Sequence, residues 1–299
     1  RSVRQNLGEA LSLTNFHTLT WNRTFGKSDL TVLGGFSLEM FKNGGFNASN
    51  QGYFANEISE LNAGSASPLV SGNTTQSRLM SYFGRINYVF NDKYLLETNF
   101  RYDGSSRFAP DKRWGFFPSI SAGWRINEEE FLKNVKPLSN LKLRASWGQL
   151  GSQPQQLFGF VEAVASGINY NYNNTVVSGG AINQIAEQNL TWETTTMTDI
   201  GLDFGFFNQR LTGEFDWFNK NTSGILRQVN IPQQVGNLTG PVRNIGEVQN
   251  KGIEITLNWR DKLGQISLAT TTLFWGVSGN LRYIVLAWAA AALGYGTTQ

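Results

Sequence analysis

Along most of its 299 residues this chain alternates apolar and polar side chains with a period of two. In YLLETNFRYD (94–103), Tyr94, Leu96, Thr98, Phe100 and Tyr102 carry the apolar mass, while Glu97, Asn99, Arg101 and Asp103 fall between them. Successive side chains of an extended strand point to opposite faces, so this is the pattern of a two-faced strand. It recurs at Met80, Tyr82, Ile86, Tyr88 and Phe90, at Phe116, Ile120, Ala122 and Trp124, at Ile200, Leu202, Phe204 and Phe206, at Leu211, Phe215 and Trp217, and at Ile253, Ile255, Leu257 and Trp259. Ten strands are predicted, over 13–24, 30–40, 80–90, 94–103, 114–126, 141–150, 192–207, 211–221, 250–260 and 265–275, the first with poor alternation. Charged residues such as Glu39, Arg85, Lys142, Arg144, Asp199, Asp203, Glu214, Asp216 and Glu254 lie opposite the apolar face, whereas Arg78 and Lys251 fall at strand ends. A soluble sandwich would alternate as well, so periodicity alone leaves sandwich and membrane barrel open.

The connections separate the two. Along the chain they run short (25–29), long (41–79), short (91–93), intermediate (104–113 and 127–140), long (151–191), short (208–210), long (222–249) and short (261–264). The odd-numbered ones carry tight-turn residues, as in Asn91-Asp92-Lys93 and Asn208-Gln209-Arg210, and an up-and-down sheet puts them all at one end. Short turns on one rim and long loops on the other is the layout of an outer-membrane barrel. Segment 127–140 is an oversized turn predicted to hold a short helical piece. Phe90, Tyr94, Trp124, Phe206 and Trp259 flank the tight turns on the apolar phase, where a barrel places its interfacial aromatic girdle. The mean hydropathy of −0.28 does not argue against this, because lipid-facing and lumen-facing residues average out.

Composition removes most enzyme chemistry. With one His and no Cys, there is no thiolate site, disulfide framework, His metal cluster or His-based nucleophilic triad to assemble. Gly26-Lys27-Ser28 echoes the end of a phosphate-binding loop, but the upstream Gly position is Trp21 and the segment reads as a hairpin turn. Glu128-Glu129-Glu130 reads as a solvated charge run. No catalytic residue, cofactor, metal or nucleic-acid partner is expected. The longest apolar tract, Tyr283 to Leu293, is short of the roughly 18–20 residues of a membrane-crossing helix. The start RSVRQNLGEALSLTN has no signal-peptide pattern and is read as mature, trimmed or internal.

From residue 85 the residues resemble a family. Arg101-Tyr102-Asp103-Gly104-Ser105-Ser106-Arg107-Phe108 is followed by Trp114-Gly115-Phe116-Phe117-Pro118-Ser119, Ala122-Gly123-Trp124-Arg125 and Leu143-Arg144-Ala145-Ser146-Trp147-Gly148. A second block holds Leu190-Thr191-Trp192-Glu193, Asp199-Ile200-Gly201-Leu202-Asp203 and Asn244 to Glu254, NIGEVQNKGIE. In order and spacing these resemble the SusC/RagA type of TonB-linked outer-membrane transporter, over roughly residues 10–275. The resemblance implies an all-β fold: the partial wall, about ten up-and-down antiparallel strands, of a larger plugged transmembrane β-barrel. Residues 1–275 are then the middle of the barrel, while 276–299 neither resemble the family nor alternate cleanly. It also implies import of glycans or peptides across a Gram-negative outer membrane, a SusD-like surface lipoprotein as partner, and energy from TonB acting through a plug and TonB box outside this sequence. A soluble all-β carbohydrate-binding module and a passive porin are the alternatives.

Physical readings accompany the motifs. Gly104, after an Asp at a strand end, is expected at positive φ, and Pro118 is expected to bulge or break its ladder. Binding is expected in the long loops, above all 151–191. There Phe158, Phe160, Tyr170 and Tyr172 stand among Gln, Asn and Gly, flat apolar faces beside amides, which suits sugar stacking or a protein partner. Arg101 and Asp103 complete the candidate substrate or partner contacts.

Overall fold

The structure is a computed structural model that describes residues 1–232, 234, 238–263, 266–277 and 280–289, with side chains described as far as residue 261. Its elements are β1 (Ser2–Phe25), β2 (Ser28–Gln51), β3 (Leu69–Phe90), β4 (Tyr94–Ser105), β5 (Trp114–Arg125), β6 (Leu138–Ser152), β7 (Ala163–Tyr172), β8 (Thr175–Gln184), β9 (Glu193–Phe206), β10 (Leu211–Gln228), β11 (Val242–Leu263), β12 (Ile266–Val277) and β13 (Asn280–Ala289). Eleven of them form one antiparallel sheet, β1 through β6 and then β9 through β13 in order; β7 and β8 form a separate hairpin. No helix among the described residues is long and apolar enough to cross a membrane, which does not bear on crossing by strands.

The described tight turns of the eleven-stranded sheet share one rim, and main-chain hydrogen bonds link neighbours along it. Asn91 N–H donates to Lys27 O (2.7 Å), Arg125 N–H to Lys93 O (2.8 Å), Phe207 N–H to Pro137 O (2.8 Å) and Arg260 N–H to Arg210 O (2.7 Å). Gly26, Asn91, Asp92, Asn208 and Gln209 take the positive φ that such turns require. The parity reading therefore holds for 91–93 and 208–210. In the 261–264 turn, Leu263 pairs with Ile266, and Gly264 lies outside the described residues.

The register aligns the apolar phases of β2 to β6 and of β9 to β11 on one face. Leu96 faces Ala122, Leu202 faces Phe215, and Phe215 faces Ile255. At the turn rim this face carries the expected girdle, with Phe90 and Tyr94 rings 6.2 Å apart and Tyr94 and Trp124 rings 6.4 Å apart. A second belt crosses the same face toward the loop rim: Phe36, Tyr82, Tyr102 and Trp114 are in ring contact at 4.7–6.2 Å, with Phe116 beside Tyr102 in the register. From Tyr82 to Phe90 the strand rises about 27 Å at ~3.4 Å per residue. A tilt of roughly 40° shortens that to about 20 Å, near the ~25 Å apolar band of an outer-membrane barrel. Between the belts, β3 to β5 present Gly84, Ile86, Tyr88, Leu96, Thr98, Phe100, Pro118, Ile120 and Ala122, without a charge. These side chains stay open to the surroundings: Leu96 and Phe100 are each 42% exposed. Apart from Pro and Gly, the buried apolar residues among those described are Ala48, Tyr53, Phe108, Ala109, Phe117 and Leu190. A soluble sandwich would bury its apolar phase; this sheet leaves it for lipid.

Several expectations need correction. The first strand is 24 residues long despite poor alternation, and β2 and β3 also run well past the upper belt. Beyond that belt no lipid selects an apolar phase, so main-chain pairing continues without the sequence pattern. The 151–191 loop is not featureless: it contains the β7–β8 hairpin. In the 276–299 tail, β13 pairs with β12; 290–299 lie outside the described residues. Segment 127–140 does hold a short helical piece, a 3₁₀ turn at Ile126–Glu128 that begins one residue early, followed by further turn bonds. Gly104 does not adopt positive φ; what it provides is space, since a Cβ there would lie 2.8 Å from the Trp114 ring. Pro118 stays in register with Phe100 on β4, and the break falls on the other side, where β5–β6 pairing stops at Ser119 and Gly148. Its missing N–H is thus spent where no ladder bond is made.

Candidate functional site

The opposite, polar face lines the lumen, and its densest feature spans three strands. Arg144 on β6 stands in register with Gly201 on β9, which pairs with Asp216 on β10. Its guanidinium crosses the glycine, donating from Nε to Asp203 at 2.8 Å and from Nη2 to the Asp216 carboxylate at 2.7 Å, while Nη1 lies 3.4 Å from Asp199. A Cβ on residue 201 would sit 2.5 Å from Arg144 Cζ, so the bridge requires glycine there. Lys142 Nζ approaches Asp203 at 3.9 Å. Planar guanidinium donors suit several carboxylates at once, which Lys could not match. Beside the network runs a groove of about 260 Å³ lined by Asn87, Glu97, Ser121, Lys142, Arg144, Ser146 and Asp199. Sequence phase put all these charges on one face, but it could not show that one arginine serves three aspartates, because that depends on inter-strand register.

The loop rim is a built mouth. Arg101 forks onto Asp103 with both contacts at 3.2 Å, donates to Ser81 Oγ at 3.2 Å and lies over the Phe83 ring at 5.8 Å. Asp103, Ser81 and Ser105 are buried. Ser105 donates to Gln153 Oε1 at 2.6 Å, and Arg107 Nη1 to Pro154 O at 2.8 Å, so the 103–113 segment is tied to the start of the long loop. Phe108, fully buried, packs on Trp192 with ring centroids 4.9 Å apart; Phe117 meets Trp192 edge-on at 5.3 Å, and Trp192 Nε1 donates to Arg113 O at 3.0 Å. Phe117, one residue out of phase with Phe116, is thus a lumen-side core residue that alternation did not single out.

The four loop aromatics lie elsewhere from Arg101 and Asp103. Tyr170 and Tyr172 share one face of β7 as an exposed stacked pair, 6.2 Å between centroids. Phe158, with φ of 57°, is exposed in the turn before the hairpin, and Phe160 is half-buried. Among the described residues no contact joins these rings to Arg101 or Asp103. The hairpin base is held firmly: Ile185 N–H donates to Thr239 O (3.4 Å), Thr239 N–H to Asn183 O (3.1 Å), and Arg243 Nε pairs with Glu187 at 2.5 Å.

At the turn rim, Glu129 is not the solvated charge its run suggested. Its carboxylate accepts from Lys93 Nζ (2.8 Å), Tyr94 OH (2.7 Å) and Trp124 Nε1 (3.1 Å). The Lys93 bond first, then those of Tyr94 and Trp124, pull the Glu129 carboxyl down to about 2. The same bond raises Lys93 above its ordinary value. Sequence alone could not distinguish Glu129 from Glu128 and Glu130, since only the folded turn brings it to the girdle.

Comparison with known proteins gives a consistent picture. Residues 2–298 match the family described as TonB dependent receptor-like, beta-barrel. TonB-dependent receptor SusC of Bacteroides thetaiotaomicron is 38% identical over 213 residues, 70% of this chain and 20% of that protein. TonB-dependent receptor P26 of Formosa agariphila is 35% identical over 254 residues, 82% of this chain and 25% of that protein. The chain therefore spans about a quarter or less of the length of these relatives. The RagAB peptide transporter structure superposes with a TM-score of 0.82 at 24% identity, over 92% of this chain and 30% of that one. The outer membrane transporter YddB from Escherichia coli gives 0.60 at 10% identity, over 90% of this chain and 33% of that one.

Proposed function

Since the chain belongs to the TonB dependent receptor-like β-barrel family, is of the SusC/RagA type and resides in the outer membrane, we propose that it is wall of a transporter importing glycans, or peptides, into the periplasm. The observation that carries this reading is the eleven-stranded meander with a charge-free band between two aromatic belts outside and a charged wall inside. A plugged barrel of about 22 strands would close such a wall. Substrate enters at the loop rim, where Phe158, Phe160, Tyr170 and Tyr172 offer stacking faces, with Arg101, held in place by the buried Asp103, as a polar contact on the wall. A SusD-like lipoprotein is the surface partner, and TonB supplies the energy through a plug. No covalent chemistry is performed on the substrate.

Glycan is placed before peptide because the exposed rings stand among amide side chains, flat faces beside hydrogen-bonding groups, as sugar rings require. Outer-membrane residence leaves the soluble module without support. The test is deletion of the gene for the full-length protein, with growth measured on oligosaccharide and on peptide as sole nutrient, with and without TonB. Loss on one nutrient that is restored only when both gene and TonB are present supports the reading. Growth independent of TonB would make the barrel a passive pore.

A further inference from the structure

Of the described turns on the short-turn rim, the 126–137 connection is the oversized one, and its position is fixed by the lipid-facing side of the wall. Tyr94 and Trp124, which bond Glu129, belong to the outward phase: they face each other in the register and stack at 6.4 Å within the aromatic belt. The turn is thereby drawn back against the outside of the barrel, away from the lumen. Its main chain is ordered by Leu132 and Lys133 N–H donating to Glu129 O (3.0 and 3.1 Å) and by Val135 N–H donating to Leu132 O (3.0 Å). Four residues apart, Phe131 and Val135 are exposed by 68% and 40%. Lys133 and Lys136 beside them are exposed, as are Glu128 and Glu130, while Glu129 and Lys93 neutralise each other, so the segment brings no net charge to the surface.

We propose that segment 126–137 is a membrane anchor, laying Phe131 and Val135 into the headgroup boundary of the periplasmic leaflet with Lys133 and Lys136 on lipid phosphates. Two observations choose phospholipid over a periplasmic protein as the occupant. The turn continues an aromatic belt that already marks the membrane interface. The apolar side chains are large and unpartnered next to that belt, where an interfacial element buries its apolar side about 5–10 Å deep. Lys133 and Lys136 are balanced by Glu128 and Glu130, so net charge does not choose the occupant. The pinned Glu129 sets the depth, since the carboxylate is held at the level of the tyrosine hydroxyl and the indole N–H. This inference rests on outer-membrane residence and is independent of what the transporter imports.

The experiment is site-directed spin labelling of the full-length protein in nanodiscs of phosphatidylethanolamine and phosphatidylglycerol, with no other protein present. A label at Phe131→Cys is compared with one at Asn208→Cys in a tight turn of the same rim. The anchor predicts a ratio of oxygen to aqueous nickel-chelate accessibility several-fold higher at 131 than at 208. Replacing Glu129 by Ala should bring the two ratios together while heat-modifiable mobility shows the barrel still folded. Equal ratios in the unmodified background would overturn the anchor and leave a periplasmic protein as the occupant. A high ratio that survives Glu129→Ala would overturn the pinning.

Discussion

Arg144 and Asp216 lie on strands that are not neighbours, yet the Arg144 Nη2 reaches the Asp216 carboxylate at 2.7 Å by passing over Gly201 of the strand between them. The contact joins β6, β9 and β10 through one side chain. Between β6 and β9 the chain leaves the sheet for the whole of the long loop, so this bridge reinforces the seam where sequence neighbours give way to a return from 40 residues away. Gly201→Ala is accordingly expected to destabilise by about 1–3 kcal/mol, as an overpacked site does. In the Arg144→Ala background the same change should cost much less. Urea unfolding of the full-length protein in lipid vesicles, read as a double-mutant cycle, checks the coupling; additive costs would show that the glycine serves something other than the bridge.

The two faces of the wall should respond differently to charge. Arginine in place of Leu202 or Ile255, which lie in one outward row with Phe215, is expected to cost about 2–4 kcal/mol if the site is near the bilayer midplane. Arginine in place of Thr256, opposite Glu214 on the lumen face, should cost far less. Equal costs in the same unfolding assay would contradict the assignment of faces.

Specificity should reside in the hairpin. Its base is fastened outside β7 and β8 by Ile185, Glu187, Thr239 and Arg243, so replacing residues 163–184 with a short Gly-Ser linker should leave the barrel folded. Uptake of the cognate oligomer, or association with the lipoprotein, is expected to fall. Tyr170→Ala with Tyr172→Ala should reproduce most of the loss if stacking carries it, since sugar faces need the ring and not the strand. Undiminished uptake with normal surface expression would move specificity to other loops.

The Glu129 pin has a defined pH dependence. A carboxyl whose folded value is depressed contributes stability that is fully present above its unfolded value, near 4.5, and is lost as pH falls through its folded value, about 2. Wild type should therefore exceed Glu129→Gln in thermal stability by a constant margin from pH 7 to about 5. That margin should shrink between 4.5 and 2. A margin that stays constant to pH 2 would show that the carboxylate charge is not what holds the turn.

Much of this protein was legible in its sequence because lipid imposes a rule on every strand that crosses it. Leu96, Phe100, Leu202, Phe215 and Ile255 had to fall in one phase, with Glu97, Arg101, Asp203 and Glu254 in the other. Loop lengths then fixed which end is which. The strand extensions of β1, β2 and β3 were invisible, since above the upper belt water lies on both faces and main-chain pairing needs no pattern. So was the β7–β8 hairpin, whose Asn-, Ser- and Gly-rich strands have no buried face to record. What only the tertiary structure decided is register. Sequence phase assigns a residue to a face but not to a row, and rows determine that Arg144 meets Asp216 across Gly201, that Phe117 packs on Trp192 and Phe108, and that Glu129 meets Tyr94 and Trp124. Those contacts join residues tens of positions apart or single out one of three adjacent glutamates, and their geometry is set by how far each strand slides against the next.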